Sequence, residues 1–430
     1  MQTHFNADQL ADPHIAGLEK ILRSCVHCGF CTATCPTYVV GRDERDSPRG
    51  RIYLIKELLE TGRAPTAHDV EPLDHCLSCL SCMTTCPSGV DYRRLIDHAR
   101  VEVETRYARD PFDRLLRALL VRLLPYPGRF RLSIGLAWLG RPFLPILARL
   151  PVVGERLEAM LRLAPARLPA RVATKREYKA SATKRRRVAL LTGCAQSVLA
   201  PDINAATIRV LNRTGVDVVL PKGEGCCGSL AHHMGYEDRA LALARADIDA
   251  WMREIEGEGL DAIVVTASGC GATIKDYGAM FVDDAAYAGK AARAATLAKD
   301  VSEYLLELDL AFPAPRSETV AYHPACSLQH GQKILEAPKT LLKRAGYEVR
   351  VPVESHLCCG SAGVYNLLQP RIASELRDRK ARNIARLKAD VIATGNIGCM
   401  TQIGAATATP VVHLVELLDW AQGGPAPVRA

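Results

Sequence analysis

Two runs of four cysteines share one spacing, Cys25-x2-Cys28-x2-Cys31-x3-Cys35-Pro36 and Cys76-x2-Cys79-x2-Cys82-x3-Cys86-Pro87. Three thiolates spaced two residues apart can wrap one cubane, whereas a fourth, three residues on and followed by proline, turns away to a neighbouring cluster. The pattern predicts two [4Fe–4S] clusters with crossed ligation. Cys25, Cys28, Cys31 and Cys86 hold the first, and Cys76, Cys79, Cys82 and Cys35 hold the second. Zinc sites use two ligand pairs around a longer spacer, and dense disulfides belong to short secreted chains. The whole pattern occurring twice weighs against both, a structural-zinc scaffold being the weakest reading.

A second tier of cysteines forms an internal repeat. VALLTGC ends at Cys194, the Cys226-Cys227-Gly228 turn follows, and DAIVVTASGCG carries Cys270; TVAYHPAC ends at Cys326, Cys358-Cys359-Gly360 follows, and DVIATGNIGC ends at Cys399. In both copies 31 residues separate the first cysteine from the pair, and the first cysteines lie 132 positions apart. This is a duplicated unit. Packing hardly explains a repeated Cys-Cys-Gly turn, so Cys194, Cys226, Cys227, Cys270, Cys326, Cys358, Cys359 and Cys399 are further candidate metal ligands or redox thiols, with structural thiols as the alternative. Glycine after each pair permits close approach of the backbone to a neighbour. His232, His233, His323, His330 and His356 crowd the same places. None is assigned as a ligand, because a lone histidine is more often a hydrogen-bonded structural residue.

These thiols need elements to hold them. Between the two N-terminal motifs lie 40 residues, Pro36 to His75, in which Ser47 is a good N-cap, Pro48 fits the first helical position and Gly62 stops the apolar run Ile52, Ile55, Leu58, Leu59. Such an insertion favours clusters held between helices, and residues 90–107 read as a closing helix. Arg23, Arg49, Arg51 and Lys56 are placed to offset the charge of thiolate-bound clusters, or stand as solvated helix charges. Around the repeat, β-branched runs at 188–191, 216–220, 263–266, 319–322, 347–351 and 391–394 alternate with helical segments, which predicts parallel sheets with the cysteines at the C-terminal ends of the strands. That rim is where open α/β sheets bind ligands. The expected fold is α+β and multidomain: a helical ferredoxin domain with two [4Fe–4S] clusters over 1–110, a basic helical linker or contact segment over 111–186, and duplicated α/β halves over 187–315 and 316–430.

The formal charge of +8 is unevenly placed, with eighteen Lys/Arg against four Asp/Glu from Pro111 to Arg187, ending in the tract Lys184 to Arg187. A basic block rich in Leu and Pro suits an anionic membrane surface, a partner subunit or plain solvent. Nucleic acid is disfavoured, since aromatic interleaving and binding motifs are missing. No uncharged apolar run reaches the roughly 18 residues of a membrane span. The N-terminal residues show neither the basic nor the apolar region of a signal peptide, so the expected location is cytoplasmic, at most peripheral on the inner membrane, with reduced thiols.

The repeated halves resemble the cysteine-rich CCG domain family, which includes the heterodisulfide reductase B subunit. CVHCGFCTATCPTY, DSPRGRIYLIKELLE, CLSCLSCMTTCPSGVDY, HLCCGSAGVYNLLQP and NIGCMTQI are similar to the iron–sulfur subunits of glycolate oxidases, over nearly the whole chain. The resemblance implies a complex in which flavoprotein subunits oxidise glycolate to glyoxylate and this subunit carries electrons toward membrane quinone. The full CCG motif ends Cys-x-x-Cys, whereas Thr273 and Gln402 stand at the last positions here. That departure argues against non-cubane clusters and disulfide chemistry, while leaving further Fe–S in the CCG region open. No Gly-x-Gly-x-x-Gly opens a helix after a strand, so no flavin is expected in this chain and no residue is assigned a catalytic role. Alternative readings are an Fe–S subunit of a lactate or glycerol-3-phosphate dehydrogenase, and a thiol–disulfide module fed by the ferredoxin domain.

Overall fold

The computed structural model describes residues 1–150, 153–172, 174–181, 183 and 186–427. Lys184 and Arg185 of the basic tract and the last three residues of the second half lie outside the described residues. Among the described residues, no strand precedes Glu177. The N-terminal region is a helical cluster in which Pro13–Ser24, Pro48–Thr61, Ala67–Asp74 and Tyr92–Arg106 bury Leu22, Ile55, Leu73, Leu95 and Ile96. Helix Pro48–Thr61 starts and stops where the sequence places its signals: the Gly50 N–H donates to Ser47 Oγ at 3.0 Å, and Gly62 takes a φ of 63°.

Among the described residues nine strands follow: β1 (Glu177–Tyr178), β2 (Arg186–Leu191), β3 (Val216–Val219), β4 (Ala262–Val265), β5 (Ala298–Asp300), β6 (Thr319–Tyr322), β7 (Glu348–Arg350), β8 (Val391–Thr394) and β9 (Val411–His413). They form one sheet of order β1-β3-β2-β4-β5 and a second of order β7-β6-β8-β9. All pairings are parallel except β1 with β3, and the register sets Leu190 opposite Val264 and Ala321 opposite Ile392. Continuous apolar runs such as Val188 to Leu191 are buried on both faces, as parallel strands require. Strand β1 falls inside the segment read as a basic linker, where it pairs with the edge of the first sheet.

The two halves share one core. Helices Asp202–Arg213 and Leu414–Ala421 bring Val210 and Leu211 against Leu417 and Leu418, and Arg209 and Arg213 each reach the buried Asp419 carboxylate at 2.6 Å. His413, at the end of β9, contacts the Thr266 carbonyl of the other sheet through Nε2 at 2.8 Å. Asp419 is buried and its two arginines are partly exposed, so losing them would leave its charge uncompensated, and the shared apolar cluster holds the duplicated halves together.

Part of the basic segment faces inward. Helix Pro111–Leu123 packs Leu116, Leu120 and Val121 onto Ala231, Met234, Val364 and Leu368 from both halves, while Arg109 and Arg117 pair with Asp74 and Asp113. Its continuation faces outward: Leu132, Leu136, Leu139, Phe143 and Ile146 are all exposed. No helix among the described residues is long and apolar enough to cross a membrane.

Candidate iron–sulfur and thiol sites

Both N-terminal motifs wind their chain the same way. His27 and Gly29 adopt φ of 56° and 83°, and Ser78 and Leu80, at the same offsets from the first cysteine, adopt 49° and 61°. A left-handed leucine is unfavourable on its own, so its recurrence at a glycine's position marks a loop shaped by what it encloses. The first loop draws Cys25, Cys28 and Cys31 around a cavity that Cys82 and Cys86 of the other motif also line, with Ile52 and Tyr92 on its walls. Cys28 is exposed, Cys31 and Cys86 are half-buried and Cys25 is buried, while Cys35, Cys76, Cys79 and Cys82 are all buried.

Burial raises three of these eight thiols. It pushes Cys31 up to about 11. It also raises Cys79 well above its ordinary value, followed by the charges of Cys358 and Cys35, and raises Cys82 with help from Cys79, Cys76 and Cys35. Desolvated thiols stay protonated until a cation is bound, which is the condition a metal cluster meets. The residues present therefore fit two iron–sulfur clusters: four convergent thiols each, strained loops around them, and positive charge beside them.

That charge is specific. Arg51, 1% exposed, donates from Nε to the Pro72 carbonyl at 2.6 Å and from Nη2 to Thr37 Oγ1 at 2.9 Å, pairs with Asp46 at 3.2 Å, and places Nη1 3.7 Å from Cys35 Sγ. Arg100 donates to the Cys76 carbonyl at 2.6 Å and to Ser78 Oγ, and the Tyr92 hydroxyl lies 3.6 Å from Cys76 Sγ. Of the cations expected from sequence, Arg51 alone is enclosed. Lys56 pairs with Glu60, Arg49 with Glu44 and Arg23 with Glu19.

The second tier of thiols also converges, at the strand ends. In the second half the Sγ atoms of Cys326 and Cys358 lie 3.7 Å apart, and those of Cys359 and Cys399 lie 3.5 Å apart. In the first half Cys194 neighbours Cys226, and Cys227 neighbours Cys270. Gly228 and Gly360 take φ of 79° and 89°, and a Cβ there would sit 2.6 and 2.5 Å from the carbonyl oxygens of Ala240 and Ala373. Only glycine fits both demands. Thr273 and Gln402 are satisfied polar residues: Thr273 Oγ1 donates to Gly269 at 3.3 Å, and Gln402 bridges Asn366 and Ala373.

The halves differ electrostatically. Beneath the first pair, Glu224 is pushed up to about 8 by burial and the neighbouring Asp247, and burial pushes Asp247 up to about 7. Glu224 accepts from Trp251 Nε1 at 3.0 Å and Asp247 from the Gly225 N–H at 2.7 Å. The second half has a buried lysine instead, Lys380, whose Nζ donates to the Glu354 carbonyl at 2.7 Å. Hydrogen bonds from Cys326 and Cys359 hold the Cys358 thiol well below its ordinary value.

The structure also joins the tiers. Leu77 and Cys79 pack with Cys358, Tyr365, Ala373 and Leu376, Cys326 lies against the same group, and the Tyr365 hydroxyl donates to the His75 carbonyl at 3.1 Å. On the first half, Asp97 pairs with His232 at 3.1 Å and Arg94 with Asp276 at 2.5 Å. Burial opposes ionisation of Asp97, yet the His232 imidazole holds its carboxyl well below the usual range. Sequence reasoning missed Arg100, Lys380, Glu224 and Asp247, none of which stands in a motif; burial in the fold is what distinguishes them.

A cysteine-rich domain model matches residues 188–275 and 320–404, and a 4Fe-4S dicluster domain model matches 21–90. The glycolate oxidase iron-sulfur subunit of Escherichia coli is 43% identical over 98% of this chain and 99% of its own length. The probable glycolate oxidase iron-sulfur subunit of Bacillus subtilis is 32% identical over 94% of this chain and 95% of its own. A hypothetical protein from Helicobacter pylori, in a crystal structure, shares the fold with a TM-score of 0.53 at 12% identity, covering 96% of this chain and 73% of that one. Dicluster ferredoxin motifs, paired cysteine-rich halves and end-to-end similarity agree: this chain belongs to the family of glycolate oxidase iron–sulfur subunits.

Proposed function

We propose that this chain is the electron-carrying subunit of a glycolate-oxidising complex, receiving electrons from partner flavoprotein subunits and delivering them toward a membrane quinone. In this reading Cys25, Cys28, Cys31 and Cys86 hold one [4Fe–4S] cluster and Cys76, Cys79, Cys82 and Cys35 the other. When bound, such clusters supply one-electron redox chemistry. The observation that carries the proposal is the graded placement of the two ligand sets. Cys28 is exposed, and Val26, Phe30 and Tyr53 stand exposed beside its loop, an apolar collar suited to a docking partner. Cys79 is enclosed against Cys358 and Cys326 of the second α/β half. The chain thus runs from a partly open thiol set to a fully buried one and on to the strand-end thiols, while Arg51 and Arg100 hold positive charge along the way.

The test is division of labour. The anaerobically purified chain alone is expected not to reduce an artificial dye with glycolate, and flavoprotein subunits added back should start the reaction. Dye reduction by this chain free of flavoprotein would sink the reading. Identifying the flavoprotein that co-purifies, and the 2-hydroxy acid it oxidises, separates glycolate from a lactate- or glycerol-3-phosphate-linked complex.

The outward row Leu132, Leu136, Leu139, Phe143 and Ile146, set among Arg129, Arg131, Arg141 and Arg149, supports peripheral contact with an anionic membrane. Each Lys or Arg near such a surface contributes on the order of 1 kcal/mol. Raising salt from about 0.1 M to about 1 M shortens the screening length from roughly 10 to 3 Å. Binding to anionic vesicles is therefore expected to weaken by at least about tenfold over that range. Sedimentation that is salt-independent, or equal with neutral vesicles, would point to apolar or subunit-mediated docking instead.

A further inference from the structure

Helix Tyr92–Arg106 closes the ferredoxin domain, and the short helix Ser229–His233 follows the first Cys-Cys-Gly turn; the fold sets one against the other. Their approach is close. Gly235 takes a φ of 82°, and a Cβ there would sit 2.4 Å from the Arg100 carbonyl oxygen, a contact that only glycine allows. This packing brings Asp97 to His232 and His233, two adjacent histidines to which sequence spacing assigns no ligand role.

Asp97 is 8% exposed. His232 Nε2 lies 3.1 Å from its Oδ2, while its Oδ1 has no hydrogen-bond partner among the described residues, and neither does the buried Nδ1 of His233. Desolvated polar atoms left unsatisfied are costly, and native interiors hold few of them without a ligand. One ring nitrogen of each histidine and a carboxylate oxygen of Asp97 all lie within 4.8 Å of one another. A tetrahedral ion with bonds of about 2.0–2.1 Å to nitrogen and oxygen sets its ligands about 3.3 Å apart, so the three donors stand near the corners of one coordination shell. Two imidazoles and a carboxylate are a donor set that zinc accepts, with the fourth corner left to the second carboxylate oxygen or to water.

The protonation states suit an ion as well, since metal ligands must be deprotonated. Burial holds His233 down to about 3. Burial also lowers His232, yet the Asp97 carboxylate raises it overall, and a bound ion takes that proton's place. The neighbouring cations are engaged elsewhere: Arg93 and Arg94 pair with Asp276 at 3.2 and 2.5 Å, and Arg100 donates to the Cys76 carbonyl and to Ser78 Oγ.

The second half meets the N-terminal region differently. Val364 and Tyr365 stand 132 residues on from His232 and His233; Val364 packs with helix Pro111–Leu123, and Tyr365 donates to the His75 carbonyl. The same turn of the repeat thus docks through apolar and hydroxyl contacts in one half and through ligand-type side chains in the other. We propose that Asp97, His232 and His233 hold one divalent ion of the zinc class between the ferredoxin domain and the first α/β half. The site uses no thiol and does not depend on the electron-transfer reading.

The test takes the full chain, purified anaerobically from zinc-supplemented cells, through metal analysis and X-ray absorption at the zinc edge. One zinc per chain is expected, with a nitrogen and oxygen shell at about 2.0–2.1 Å and the outer-shell scattering of imidazole. Asp97→Asn and His233→Leu should each lose that equivalent while iron and sulfide stay unchanged. No zinc, or zinc found on sulfur alone, overturns the proposal, as does an imidazole-bearing shell that both variants retain. Should one variant fail to fold, the other decides together with the shell of the unaltered chain.

Discussion

Cys86→Ser is expected to eliminate the cluster held by Cys25, Cys28 and Cys31 and to leave the other intact. Cys86 belongs by sequence to the second motif, but its side chain lines the cavity that the first motif encloses. Cys35, of the first motif, has its sulfur 3.7 Å from Arg51 Nη1 and near enough to Cys82 of the second motif to raise that thiol. Removing one thiolate of four from a half-buried site leaves the iron at that corner open to solvent, so the loss should approach one full cluster per chain. Paramagnetic resonance of the reduced protein, with iron counted in parallel, reads the result. Selective loss of the signal from the Cys76, Cys79 and Cys82 set would refute crossed ligation.

The second large effect is expected at Arg51. Its guanidinium is enclosed, joins Pro72, Thr37 and Asp46, and approaches Cys35 Sγ. Arg51→Met keeps much of the volume but strands the Asp46 carboxylate, which His75 then shares alone at 3.0 Å. Breaking a buried pair by removing one partner costs about 3–5 kcal/mol. A cation withdrawn from beside a cluster thiolate also makes reduction less favourable, so the potential of the second cluster should fall while the first moves less. Anaerobic denaturant titration and potentiometric titration followed by paramagnetic resonance test the two halves of this expectation. Arg51→Lys, which keeps charge but not the planar fork, should recover more of the potential than of the stability. Unchanged stability and unchanged potential in Arg51→Met would show that the buried charge has no role at the site.

Local signals were legible. Ser47, Pro48 and Gly62 bracket a helix because capping and backbone preference act between near neighbours. The β-branched runs at 319–322 and 391–394 became strands β6 and β8 over the same residues. Strands β5 and β9 were not legible, since three residues such as Ala298–Asp300 carry too little pattern to stand out. Their place in the sheet comes from pairing with β4 and β8. Arg51 and Arg49 look equivalent in sequence, yet one is enclosed beside Cys35 and the other pairs with Glu44 at the surface.

The sequence by itself determined the chemistry: spacing, the terminal Cys-Pro and the two Cys-Cys-Gly turns are properties of adjacent residues, and adjacency limits which metal geometry a loop can wrap. Only the tertiary structure decided which thiols meet. Cys79 packs with Cys358, and the sulfurs of Cys359 and Cys399 meet at 3.5 Å. Contacts between residues so far apart along the chain follow from how helices and sheets bury their apolar faces, and that is settled by the whole core at once.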